Sequence, residues 1–166
     1  MRTIFAPWRM EYILGEKPKT CVLCDALTMG IGSKSLVLYK GKHAFVMMNR
    51  FPYSSGHLMV VPARHVASPE DLGEEEWNSV NSLVRASIRI LRDAMNPDGL
   101  NVGMNLGKSA GAGIADHCHI HVLPRWNGDT NFISVVGELR VIPEALEVTF
   151  DQLLPYFERF AKEVNE

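Results

Sequence analysis

Grouped by its apolar positions, the chain divides into short apolar runs bounded by turn formers and longer runs at helical spacing. Residues 36–39 and 44–48 are two short runs. The Lys40-Gly41-Lys42 turn between them predicts a hairpin. Residues 57–61 predict a third strand, ended by Pro62. In 100–106, Leu100, Val102 and Met104 share one face of a fourth strand, and residues 117–124 predict a fifth. Helical spacing is clearest from Glu74 to Met95, where Trp77, Val80, Val84, Ile88, Leu91 and Met95 recur at three- and four-residue steps. Glu74, Glu75 and Glu76 suit the positive end of that helix dipole, and Asn96-Pro97-Asp98-Gly99 stops it. A capped turn or helix start is expected at Ser68-Pro69-Glu70-Asp71, and a short helical stretch after Cys21. The pattern from 144 to 164 is helical again, with Pro155 expected to break it or to begin a second helix.

Five strands with a long helix on one side predict an α+β fold: an antiparallel five-stranded sheet with a long helix packed on it. Strand order does not follow from the pattern. A single domain is expected over 1–166, with 1–35 as an N-terminal segment and 141–166 as a C-terminal helical extension. The length, 166 residues, suits one domain with a real core.

The formal charge of −2, with 46% hydrophobic and 22% charged residues, argues against a general nucleic-acid coat. Any polyanion should be small and held at a local site. No apolar run approaches the roughly 20 residues of a membrane span. The first 17 residues carry charge and Pro7 inside their apolar part, unlike an export signal. With an odd count of three cysteines, this leads us to expect a reducing cytoplasm.

Candidate chemistry concentrates in His117-Cys118-His119-Ile120-His121-Val122. As a strand, this run puts three imidazoles on one face, roughly 7 Å apart, and turns Cys118, Ile120 and Val122 toward a core. Three histidines at period two are hard to explain as packing, because imidazole is a poor strand former and costly to bury unpartnered. Metal ligation, nucleophilic catalysis and anion binding remain. A neutral imidazole nitrogen can attack a phosphoanhydride that repels hydroxide, provided the other ring nitrogen donates to a partner such as a backbone carbonyl. Cys21-x-x-Cys24 has a spacing that suits half of a tetrahedral zinc site, although redox use shares that spacing. The glycine-rich loop from Gly107 to Gly113 lets backbone amides approach an anion, and Lys108 and Ser109 add donors. It is not a P-loop.

The His-x-His-x-His-x-x run resembles the signature of the histidine triad superfamily of nucleotide hydrolases and transferases. The likeness extends to Asn49-Arg50-Phe51-Pro52-Tyr53, Gly56-His57-Leu58, Val61-Pro62 and His65. It continues in Asn105-Leu106-Gly107-Lys108-Ser109-Ala110-Gly111 and in Pro124-Arg125-Trp126-Asn127-Gly128-Asp129-Thr130-Asn131-Phe132. These last stretches resemble the branch that handles diadenosine tetraphosphate, and the likeness covers roughly residues 5–145. It implies a HIT-like fold in which His119 is the nucleophile of a nucleotidyl-histidine intermediate and His121 serves the phosphates or the leaving oxygen. Asn49 and Asn105 are implied contacts to ribose and phosphates, and Lys108, Ser109, Gly111 and Gly113 to phosphates. Gly113 departs from the phosphorylase branch, which has a serine there, so the acceptor, phosphate or water, stays open. Trp126 could stack on a base or cover a subunit contact. Zinc-bearing relatives, including galactose-1-phosphate uridylyltransferases, imply His65 and His117 as the partners of Cys21 and Cys24 around a structural zinc.

The activity so implied is cleavage of dinucleoside polyphosphates, with an adenine nucleotide as the small-molecule partner and a homodimer as the assembly. An adenosine phosphoramidase acting on P–N bonds is the alternative enzyme. A zinc-stabilised nucleotide-binding module without catalysis is the alternative outside enzymes.

Overall fold

The computed structural model describes residues 20–129, 142 and 144–165. The lead-in before Thr20 and motif residues 130–132 lie outside the described residues. In chain order the elements are α1 (Val22–Met29), β1 (Val37–Lys40), β2 (Ala44–Met48), β3 (Leu58–Pro62), α2 (Glu74–Met95), β4 (Gly99–Met104), β5 (Ile120–Arg125) and α3 (Leu146–Asn165). Single 3-10 turns occur at Pro69–Asp71 and Lys108–Ala110. No helix among the described residues is long and apolar enough to cross a membrane.

Among the described residues, five strands pair antiparallel in the order β1-β2-β3-β5-β4. The predicted hairpin is β1–β2, closed by the Gly41 amide donating to the Ala44 carbonyl. Every residue of β2 and β3 is buried, as expected of central strands rich in Val, Met and Phe. Among the described residues β4 is an edge, and Val102 on it is 47% exposed.

Helix α2 packs on β2, β3 and β5 and also against α3. Its buried arc is therefore wider than the predicted stripe. Val80 and Leu91 are buried as expected, but so are Leu83 and Ile90, while Trp77, Val84, Ile88 and Met95 pack at the margin. The Gly73 amide donates to Glu76 Oε2 at 2.8 Å at its start, and Asn96 ends it in the left-handed conformation.

Helix α3 corrects one expectation. Pro155 neither breaks it nor starts another; it lies inside one continuous helix. The reason is packing. Phe150, Leu153 and Phe157 are at most 2% exposed. Each contributes about 1.5–3 kcal/mol by burial, and together they outweigh the roughly 3 kcal/mol that an internal proline costs. Pro155 itself is on the exposed side, where water can meet the carbonyl that its ring leaves unpaired.

Candidate active site and metal centre

The histidine run is only partly a strand. The ladder begins at Ile120, which pairs with Val60 on one side and Met104 on the other. His121 is inside it, while His117 and His119 precede it. The rings also stand closer than strand spacing predicts: His119 and His121 are 4.8 Å apart between centroids, edge to face. All three imidazoles are buried.

His121 lies in register with Met59 of β3 and Gly103 of β4. A Cβ on Gly103 would meet nothing within 4 Å, so β4 leaves space beside the His121 ring on this face. Cys118 is buried as expected, and burial pushes its thiol up. Its amide donates to the Val66 carbonyl at 2.7 Å.

Hydrogen bonds set the tautomers of this face. His119 Nδ1 donates to the His117 carbonyl at 2.9 Å, which leaves Nε2 of the neutral ring with its lone pair. On the other side the Tyr53 amide donates to His57 Nδ1 at 3.1 Å. That nitrogen is then unprotonated, so the neutral His57 ring carries its proton on Nε2. It donates to His121 Nδ1 at 2.9 Å. His121 in turn must carry its own proton on Nε2. Burial first, and the neighbouring His119 charge second, push the His121 pKa down to about 4. With both rings in their neutral forms, the two adjacent imidazoles present opposite chemistry, one a lone pair and the other an N–H.

His57, expected at the start of a strand within the family likeness but given no role of its own, is fully buried and hydrogen-bonded to His121. The signal was its place after Gly56. That glycine has φ +76, and a Cβ on it would lie 2.5 Å from Met95 Sδ and 3.2 Å from Pro124 Cγ. Glycine lets the loop approach the end of α2 closely and turn into β3.

The remaining expected contacts are spread around this face. Asn49 follows β2; its amide donates to the His57 carbonyl, and its Oδ1 accepts the Phe51 amide at 2.9 Å. Asn105 follows the Met104–Ile120 pair, level with His119, and its Nδ2 would stand 4.0 Å from a Cβ on Gly111. Lys108, Ser109, Gly111 and Gly113 are exposed on that loop. The amides of Ala110, Gly111 and Ala112 donate to the loop's own carbonyls, so an anion here would rely on other donors, the Lys108 and Ser109 side chains among them. Trp126 is not brought to the triad. It follows β5 at its far end, roughly 20 Å from His119 by strand rise. There its amide and the Arg125 guanidinium both donate to Asp129.

Cys21, Cys24, His65 and His117 come together despite their separation in sequence, and their ligand atoms all lie within 4.8 Å of one another. His117 Nδ1 is 3.4 Å from Cys21 Sγ and 3.5 Å from Cys24 Sγ, and His65 Nδ1 is 3.4 Å from Cys24 Sγ. Sulfur and nitrogen ligands of a tetrahedral zinc ion stand roughly 3.5 Å apart, from bonds of about 2.3 and 2.0–2.1 Å. His117 Nε2 donates to the Pro62 carbonyl at 2.9 Å, which turns the Nδ1 lone pair toward the sulfurs. Burial, then the Cys21 sulfur, push the Cys24 thiol up to about 11, so ionising that thiol near neutral pH calls for a cation beside it. The four residues fit a metal ion.

Residues 32–128 match the model of the HIT domain. The chain belongs to the HIT family. It is 45% identical over 157 residues to an AP-4-A phosphorylase of Mycobacterium tuberculosis, a match spanning 90% of this chain and 80% of that one. It is 29% identical over 92 residues to a bis(5'-adenosyl)-triphosphatase of Dictyostelium discoideum, covering 55% of this chain and 61% of that one. A Zn-bound histidine triad family protein from Mycobacterium smegmatis shares the fold, with a TM-score of 0.68 at 24% identity over 87% of this chain and 97% of that one.

Proposed function

We propose that this HIT protein cleaves dinucleoside polyphosphates of the diadenosine tetraphosphate class through a nucleotidyl-His119 intermediate. The observation that carries the reading is the His119 ring, with Nδ1 engaged by the His117 carbonyl and Nε2 holding a lone pair. The identity to an AP-4-A phosphorylase supports the substrate class.

In the first step His119 Nε2 attacks the phosphorus next to one adenosine, and the bond from that phosphorus to the bridging oxygen breaks. The leaving oxygen carries negative charge, and the His121 Nε2–H stands beside the nucleophile to stabilise or protonate it. Phosphate or water then takes the nucleotidyl group, and His119 is restored. Asn49 and Asn105 meet ribose and phosphates, and Lys108, Ser109, Gly111 and Gly113 meet the phosphates. The distance of Trp126 from its own triad favours its role at a subunit contact. Two copies pair as a homodimer, and β4, an edge strand among the described residues, offers backbone groups for that purpose. We place the chain in the cytoplasm, as one HIT domain.

Zinc is the ion that a two-thiolate, two-imidazole tetrahedral set suits best, and Cys21, Cys24, His65 and His117 would hold it. Four protein ligands close the site, so its contribution is structural.

Incubating the protein with diadenosine tetraphosphate, with and without inorganic phosphate, tests the function. ADP plus ATP with phosphate identifies a phosphorylase, and AMP plus ATP a hydrolase; two ADP would place the cut at an inner phosphorus and overturn the step above. No cleavage, with turnover of an adenosine phosphoramidate instead, selects the phosphoramidase. His119→Ala should lower turnover roughly 10³-fold or more while AMP binding survives. Unchanged turnover removes His119 as nucleophile.

A further inference from the structure

We infer that His117 is a positioning residue, coupling occupancy of the metal centre to the ring of His119. The inference rests on the nucleophile and zinc assignments above and goes beyond a zinc that merely holds the fold. His117 faces both sites at once. Its Nδ1 stands 3.4 and 3.5 Å from the two sulfurs, and its carbonyl accepts the His119 Nδ1–H at 2.9 Å. One peptide unit therefore separates a metal ligand from the bond that selects the nucleophile's tautomer.

The need for such a tie follows from where the ladder starts. His121 is locked in the sheet between β3 and β4, whereas His117 and His119 lie before the first paired residue, Ile120. The sheet register does not hold the His117 carbonyl in place. Among the described residues, the Cys118 amide donates to Val66 at 2.7 Å and the His117 ring to Pro62 at 2.9 Å, and these bonds hold the segment beside the sulfur contacts. Val66 follows His65, itself a member of the metal cluster, and Cys21 and Cys24 stand at the start of α1. The cluster thus joins α1, the segment after β3 and the segment before β5. With an ion bound, His117 is held at both ring nitrogens and its carbonyl is fixed. Without it, the ring keeps Pro62 at Nε2 and only the weaker S–H contacts of Cys21 and Cys24 at Nδ1, and the carbonyl gains freedom. The His119 ring can then populate the tautomer that carries its proton on Nε2, which has no lone pair there for attack.

The test uses the full chain with ¹⁵N-labelled histidine, first zinc-loaded, then stripped by a chelator, then reloaded with zinc alone. Two readouts need no substrate: the ring ¹⁵N shifts of His119, which report its tautomer, and amide exchange at Cys118, with Val122 in β5 as the internal reference. Loaded protein should show His119 as the Nδ1–H form. Stripping should give a tautomer mixture and faster exchange at Cys118 with Val122 still protected, reversed by zinc. His65→Ala should behave like the stripped protein. The rate of nucleotidyl transfer should fall about tenfold, with KM within about twofold. A single unchanged tautomer after stripping overturns the coupling. Loss of Val122 protection together with Cys118 also overturns it, because the ion then supports the whole fold. The ring and amide readouts do not require turnover, so a failure of the substrate assignment is seen separately, as absence of cleavage by the loaded protein.

Discussion

The site depends on protons being in the right place on rings of the same kind. The Tyr53 amide reaches His121 through His57, and each bond leaves only one neutral tautomer for the next ring. His57→Ala removes the donor from His121 Nδ1, so that ring is free to carry its proton on the wrong nitrogen. We expect kcat to fall on the order of 10²-fold with a smaller change in KM, measured in steady state on diadenosine tetraphosphate. The same ring gives a pH prediction. The His121 pKa is lowered from 6.5 to about 4, mainly by burial. Below 6.5 the unfolded chain takes up a proton here that the folded chain refuses until about 4. The stability contributed by this group is complete above 6.5 and is lost as pH falls through that window. His121→Asn should flatten the dependence of the urea midpoint over it.

Elements explain why these side chains meet. β3 ends at Pro62, whose carbonyl orients His117, and β5 starts at Ile120, which leaves His119, the proposed nucleophile, just outside the sheet. Helix α3 illustrates how packing overrides a local preference. The proline pattern reads as a break, because a run of residues does not say which side chains another layer will bury. Pro155 is exposed and its neighbours Leu153 and Phe157 are not. Pro155→Ala should therefore stabilise the protein by about 1–3 kcal/mol, since it returns an amide to the helix without disturbing the buried side. Urea unfolding measures the gain, and a loss of stability would mean that the helix end depends on the proline's bend.

At the scale of the molecule, the cluster of Cys21, Cys24, His65 and His117, the proposed metal centre, joins α1 to the segments flanking β3 and β5. Chelation should lower Tm by roughly 5–10 °C, with restoration by one zinc per chain, followed by calorimetry and metal analysis. No shift would mean that Cys21 and Cys24 serve another purpose. The legible parts of this architecture are those written in short spacing. The hairpin, the long helix, the histidine run and the pair Cys21-x-x-Cys24 each lie within a few residues, where period and turn chemistry act directly.

Residue types and local period determined by themselves that this chain makes an antiparallel sheet with packed helices, and that its chemistry centres on imidazole. Their likeness to a known family pointed to His65 and His117 as partners of the thiols. Only the tertiary structure decided which ring faces which. His57 meets His121 across 64 residues, and His117 meets Cys21 across 96. Proton positions and metal geometry depend on those distant neighbours, because a hydrogen bond or a ligand distance exists only once the chain has closed upon itself.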